Sequence, residues 1–360
     1  MLVNKLMRRT GSVSSRHVRR LVCTRVGFMI ISASRRTDIP RFHSDWMLNR
    51  IREGFVDVRN PMFPTQVSRY SLSPDIVDGI VFWTKDPAPM LSKLDAFSDY
   101  SYYFQFSLTS YGRDVESGLR DKHDLIRTFK ELAEIVGPER VMWRFDPILL
   151  NGKYSPEYQL RAFATIASEL NGSTEKVTIS FIDEYNFGGR SIYRSVGTDG
   201  VAAEQQNFLA ERMASIAHEN GMAIDTCAEA VDLERYGIQH ARCVDSRVFE
   251  RIGGCRLSRL KTRYEELAKD KAQRKECCCI ESIDIGWPNT CANGCKYCYA
   301  TTSPDELARN LAGLCDPASS LLCGHVDPAV DKVKDHRGTG DARDRSFKFG
   351  FGGNQLFQEV

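Results

Sequence analysis

The sequence predicts an α/β fold, a (β/α)8 TIM-type barrel or a partial one. Apolar strand-like runs alternate with helical patterns along most of the 360 residues, the signature of parallel βαβ units. Several runs are apolar at nearly every position, as strands covered on both faces must be. Seven lie before residue 230 and an eighth near 280, the number a barrel needs.

The strand-like runs, in order, begin with "FMIISAS" (28–34), "FVDVRN" (55–60), "GIVFWTK" (79–85) and "YYFQFSLT" (102–109). They continue with "RVMWRFDP" (140–147), "KVTISFID" (176–183), "MAIDTCAE" (222–229) and the short, alternating "CIESIDIG" (279–286). Helices fall between them. "SDWMLNRIREG" opens at Ser44 as N-cap and closes on Gly54. "KHDLIRTFKELAEIVG", "SPEYQLRAFATIASELNG" and "AAEQQNFLAERMASIAHENG" carry apolar residues at helical spacing and end on glycine. "SPEY" and "SPDEL" place Ser at the N-cap and Pro at the first helical position. Further helical stretches are expected around 231–252 and 257–275.

Three regions follow. Residues 1–28 hold seven Lys or Arg and no Asp or Glu, and read as a basic extension outside the fold, with Met29 as the working start. Residues 29–330 form the α/β domain, and 331–360 a Gly-rich, flexible tail. Hydrophobic residues make 42% and charged residues 27% of the chain, with a net charge of +2. Nothing global calls for nucleic acid, and no apolar run approaches the roughly 18 residues of a membrane span.

Chemistry in parallel α/β folds sits at the C-terminal strand ends. The polar residues there include Arg35, Arg36 and Asp38, then Arg59, Lys85, Arg144, Asp146 and Glu229. This set is expected to line a pocket. Its Arg and Lys excess suits an anionic or carboxylate-bearing ligand.

Twelve cysteines are many for such a chain, and eight lie between 277 and 323. That crowding points to metal or cluster ligation in a reducing compartment, the cytoplasm, rather than to disulfides. Cys291, Cys295 and Cys298 are spaced C-x3-C-x2-C, with Tyr297 before the last. Three thiolates can hold three irons of a four-iron, four-sulfur cluster and leave one iron open. The spacing, with its aromatic residue, resembles the signature of the radical S-adenosylmethionine (SAM) enzymes, in which the open iron binds the amino and carboxylate groups of SAM. Two alternatives stay open: a zinc site, and a closed structural cluster with Cys277 or Cys279 as fourth ligand. Either would make a non-catalytic sensor or adaptor. The motif follows the last strand, and in a closed barrel that strand lies beside the first. The cysteine loop is therefore expected next to Arg35, Arg36 and Asp38. No "GGE" segment or clear Gly-rich SAM loop accompanies it.

The chain from about Met29 resembles an uncharacterised bacterial family catalogued as a domain of unknown function. The resemblance rests on "SASRRTDIP", "VRNP", "VSRYSLSP", "VFWTKDP", "YYFQFSLT", "WRFDPIL", "TCAE" and "QRKECCCIESIDIG" joined to "CANGCKYCYA". In that family the C-terminal cysteines are similar to the radical SAM cluster motif, and an earlier pair reads C-x-C, matched here by Cys277 and Cys279. The family carries no established reaction; it is the likeness of the cysteine loop to the radical SAM signature that implies a [4Fe-4S] cluster, SAM as co-substrate, a reductant such as flavodoxin or ferredoxin, and an unidentified small-molecule or modified-polymer substrate. A photoproduct-lyase-like repair activity is a further alternative, though no basic, aromatic-rich stripe supports nucleic-acid binding.

Overall fold

The computed structural model describes residues 29–187, 190–253 and 269–337. In chain order the strands are β1 (Ile30–Ala33), β2 (Phe55–Arg59), β3 (Gln66–Ser71), β4 (Gly79–Thr84), β5 (Tyr102–Ser107) and β6 (Val141–Ile148). They continue as β7 (Lys176–Phe181), β8 (Asn186–Phe187), β9 (Arg190–Ser191), β10 (Ala223–Thr226), β11 (Gln239–His240), β12 (Ile283–Asp284) and β13 (Lys332–Asp335). The α-helices are α1 (Ile39–Phe42), α2 (Ser44–Glu53), α3 (Ala88–Leu91), α4 (Lys122–Val136), α5 (Pro156–Leu170), α6 (Ile192–Val196), α7 (Ala203–Glu219), α8 (Ser246–Ile252) and α9 (Pro304–Arg309).

Eight strands form one sheet in the order β12-β1-β4-β5-β6-β7-β10-β11, and every pair in it is parallel. Each sheet strand thus neighbours the next one along the chain, and the last, β12, lies beside the first. The seam falls between β11 and β12. No ladder joins them among the described residues, but Ile280 N–H donates to the Val244 carbonyl at 3.1 Å across it.

The two faces of the sheet differ in chemistry. One carries Ile31, Phe82, Phe104, Phe106, Trp143, Phe145, Val177 and Ile179 into the largest apolar cluster, with Phe129, Phe163 and Met213 of α4, α5 and α7. The other is apolar only at its N-terminal end, where Ile30, Val81, Tyr103 and Met142 pack on Phe249 of α8. Toward the strand C-termini it turns polar, with buried Ser32, Gln105, Arg144, Thr178, Asp225 and Asp284. A buried polar face of this kind is stable only where its groups are paired, so the fold has committed this end to polar chemistry.

One expected strand sits elsewhere. β2 ("FVDVR") pairs antiparallel with β3, and β13 adds parallel to β3, to make a separate three-stranded sheet. Asp57 of β2 is buried and receives two hydrogen bonds from Arg69 of β3, at 2.8 and 2.7 Å. The eighth place in the main sheet goes instead to β11, two residues within the stretch expected to be helical. The start of the expected flexible tail is β13. The basic extension, most of the 257–275 helix and the tail beyond 337 lie outside the described residues.

Helix ends follow the local chemistry with two exceptions. Gly54 caps α2 at φ 76°, a left-handed conformation that glycine adopts without strain. Ser155 caps α5 by accepting from Tyr158 N–H. Ser44, by contrast, is the first helical residue, and His43 precedes it. The capping box at Ser303 is only half formed. Ser303 accepts from Glu306 N–H, but the Glu306 carboxylate turns to Asn289 at 2.8 Å.

Candidate functional site

The cysteine loop leaves β12 and is folded on itself by Asn289. Its N–H donates to the Ala300 carbonyl at 2.9 Å, and its side-chain oxygen accepts from Thr302 and Ser303 N–H at 2.7 and 3.1 Å. The β1 end clamps one side of the loop. Asp38 accepts from Asn293 Nδ2 at 3.0 Å and from Lys85 N–H at 2.8 Å, and Tyr299 Oη donates to the Arg35 carbonyl at 2.9 Å. The segment after β5 clamps the other side. Glu116 bridges antiparallel to Cys295, Lys296 N–H donates to Val115 at 2.9 Å and Gly118 N–H to Asn293 at 3.0 Å. A Cβ on Gly118 would stand 2.4 Å from the Ala292 carbonyl oxygen, so glycine is required there. The loop therefore lies beside Arg35 and Asp38, as its place after the last strand predicts.

A buried ion cluster sits under the loop. Glu116 accepts from Lys85 Nζ at 2.9 Å and Thr109 Oγ1 at 2.9 Å, and also from Lys122 and Tyr297 Oη. Burial works to raise the Glu116 pKa, but Lys85 and Lys122 outweigh it and hold it at about 2. Tyr297 stacks edge-on against Tyr111 at 6.1 Å. Neither Glu116 nor Lys122 was expected in the site. Each is a charged residue in a loop or helix start with no motif around it.

Two of the three loop thiols are supplied with backbone donors. Cys298 Sγ accepts from Ala300 and Thr301 N–H at 3.4 and 3.3 Å, and Cys291 Sγ from Asn293 and Asp38 N–H. Burial pushes the Cys291 thiol up to about 12, with Asp38 and Cys298 adding to it. Burial also raises Cys295 against the pull of Lys85. Among the described residues no three His, Cys, Asp or Glu side chains converge closely enough for a single ion.

Cys277 and Cys279 do not join this loop. Cys279 Sγ accepts from Val244 N–H at 3.4 Å and lies close enough to Cys243 and Cys277 for the three thiols to perturb one another, and Cys243 Sγ contacts Cys227 Sγ at 3.3 Å. The stretch before β12 runs along the seam, which turns these sulfurs toward the ends of β10 and β11.

The polar sheet face gathers most of the remaining expected residues. The Arg35 and Arg144 guanidinium groups lie 5.0 and 5.3 Å from the Trp83 ring centre. Arg144 pairs with Asp146, which also accepts from Ser180 Oγ. Glu229 accepts from Phe181 N–H at 2.8 Å, and burial, followed by Asp183 and Cys227, raises it to about 8. It is therefore held protonated at neutral pH. Arg274, not anticipated, pairs with Asp183. Arg36 is buried at the end of β1. Arg59 departs from expectation. It ends a strand of the second sheet and is engaged by Asp331, at 2.5 and 2.7 Å, and by the His325 carbonyl, so it does not contribute to this pocket.

A family profile described as a domain of unknown function (DUF1848) matches residues 30–300. The chain belongs to that family. The DUF1848 match takes in β1, the cysteine loop and everything between them. No curated protein matches the sequence. Among solved structures, Cgl0159 from Corynebacterium glutamicum (Brevibacterium flavum) aligns at 9% identity over 64% of this chain and 74% of its own, with a TM-score of 0.29. A likeness that slight carries no argument about fold or function.

Proposed function

We propose that the chain is a radical SAM-type enzyme on a sheet that curls into a (β/α)8 barrel. Cys291, Cys295 and Cys298 would ligate three irons of a [4Fe-4S] cluster. The observation that carries the reading is the segregation of the cysteines. Cys277 and Cys279, the candidate fourth ligands, are engaged with Cys243 and Cys227. The loop is left with three, the number that keeps one iron open. The donor set fits the group: soft thiolates suit iron–sulfur clusters, and the N–H groups on Cys291 and Cys298 are the outer-shell donors that tune them. The sequential parallel strand order and the Ile280–Val244 hydrogen bond across the seam support closure.

When bound and reduced, such a cluster supplies the electron that cleaves SAM to methionine and a hydrogen-abstracting 5′-deoxyadenosyl radical. The chain's own residues hold and orient. Asp38 and Glu116 fix the loop from both sides, and Lys85 sets a positive charge near Cys295. Arg35 and Arg144 offer cationic groups on the polar face to an anionic substrate. Glu229 holds a proton there at neutral pH.

Anaerobic reconstitution of the full chain with iron and sulfide tests the proposal. The expected result is a four-iron spectrum that shifts on adding SAM and yields 5′-deoxyadenosine with dithionite. A spectrum indifferent to SAM, or one retained when Cys291, Cys295 and Cys298 are all alanine, would overturn it.

A further inference from the structure

A second group of sulfurs lies on the seam. Cys227 follows β10, Cys243 follows β11, and Cys277 and Cys279 precede β12. Their thiols lie in series, close enough to perturb one another. Cys227 meets Cys243 at 3.3 Å, Cys243 neighbours Cys279, and Cys279 neighbours Cys277. Cys243, Cys277 and Cys279 are buried in one apolar cluster, with Cys227 half-buried against it. Two cations face the group. Arg144 Nη1 donates to Cys243 Sγ at 2.9 Å, and Arg35 lies close enough to Cys277, Cys279 and Cys243 to interact with all three. Arg35 Nη2 is buried without a hydrogen-bond partner.

We infer that Cys227, Cys243, Cys277 and Cys279 form a site for one thiophilic divalent cation, of which Zn2+ is the type, pinning the β11–β12 seam. Four thiolates at about 2.3 Å from a tetrahedral ion stand roughly 3.8 Å apart, close to the contact between Cys227 and Cys243. A four-iron cluster would push them further apart. In the described conformation no three sulfurs surround one point, so binding gathers them by rotation about χ1, the one torsion a cysteine has. Four thiolates on a dication leave two negative charges, and Arg35 and Arg144 stand where those charges form. The ion replaces a missing strand ladder. Two ligands come from one side of the seam and two from the other; among the described residues the backbone crosses it by Ile280 N–H to the Val244 carbonyl and Val244 N–H to Cys279 Sγ.

This site stands independently of the loop cluster, and its test separates the two. The full chain is stripped of metal and titrated with Co2+, which absorbs strongly in the near ultraviolet when bound by thiolates. One equivalent is expected in a variant with Cys291, Cys295 and Cys298 all changed to alanine, and none once C243A and C279A are present. A readout on the unmutated chain covers the case in which C243A and C279A do not fold. Zn2+ should slow iodoacetamide alkylation of Cys227, Cys243, Cys277 and Cys279 by at least about tenfold, because a metal-held thiolate is no longer a free nucleophile. Cobalt absorption that follows the loop cysteines, or alkylation at these four unchanged by Zn2+, overturns the inference.

Discussion

Glu116→Gln isolates what the buried ion cluster does for the cysteine loop, because it changes one atom and leaves backbone and thiols alone. The carboxylate side chain is wholly buried, with Lys85 Nζ at 2.9 Å and Lys122 and Tyr297 also on it. Its pKa is held at about 2 against an ordinary 4.5. That difference corresponds to about 3 kcal/mol. The sign follows from the direction. A lowered carboxyl pKa stabilises the fold above pH 4.5, and the contribution is lost as pH falls toward 2. Glutamine removes it and leaves two ammonium groups facing a neutral amide, a change that costs about 3–5 kcal/mol when one partner of a buried pair is lost. Urea denaturation of the unmutated and E116Q chains at stepped pH reads the effect. The gap should be several kcal/mol at pH 7 and narrow by about 2 kcal/mol between pH 5 and 3. A gap under about 1 kcal/mol at pH 7, or one that stays constant into acid, would show that the Glu116 charge does not hold the loop.

Gly118→Ala should cost about 1–3 kcal/mol by overpacking and lower iron uptake on reconstitution, because its new methyl meets a backbone carbonyl that cannot step aside. Equal iron content would contradict that. Glu229→Gln should flatten part of the pH-stability profile. A carboxyl raised to about 8 from 4.5 lets the fold lose stability as pH climbs between those values, by at most about 5 kcal/mol, and the amide cannot ionise. Thermal melts from pH 5 to 8 that keep the same slope in E229Q rule this out. Arg59→Ala should destabilise the second sheet by about 1–3 kcal/mol through the orphaned Asp331, with iron content and SAM response unchanged. Loss of the SAM response in R59A would return Arg59 to the pocket.

Much of this architecture can be read from residue pattern. Runs such as "GIVFWTK" and "YYFQFSLT" are apolar throughout because both faces are covered, and they fall in the main sheet. "FVDVRN" misleads because its Asp57 is buried by pairing with Arg69, a contact that periodicity does not reveal. β11 carries too little apolar surface to signal a strand. The C-x3-C-x2-C loop is legible because its ligands are close in sequence. Glu116 is not, since its bond to Tyr297 spans 181 residues. Cys243 is equally silent, being a single thiol whose partners lie on three other segments.

The pairing of β1 with β12 sets a timetable for biosynthesis. Ile31 is matched to Ile283, and Ser32 bonds to an Asp284 that lies 252 residues later. At about 5–20 residues per second, β1 waits roughly 12–50 s on the ribosome before that partner is made. One edge of β1 is open for the whole interval, the kind of edge that recruits stray strands. The cysteine loop emerges later still. Its Asp38 clamp is among the first parts of the fold to be made, and its thiols are among the last. If the loop holds the cluster proposed above, iron delivery is expected to be post-translational, onto a chain whose sheet is already assembled.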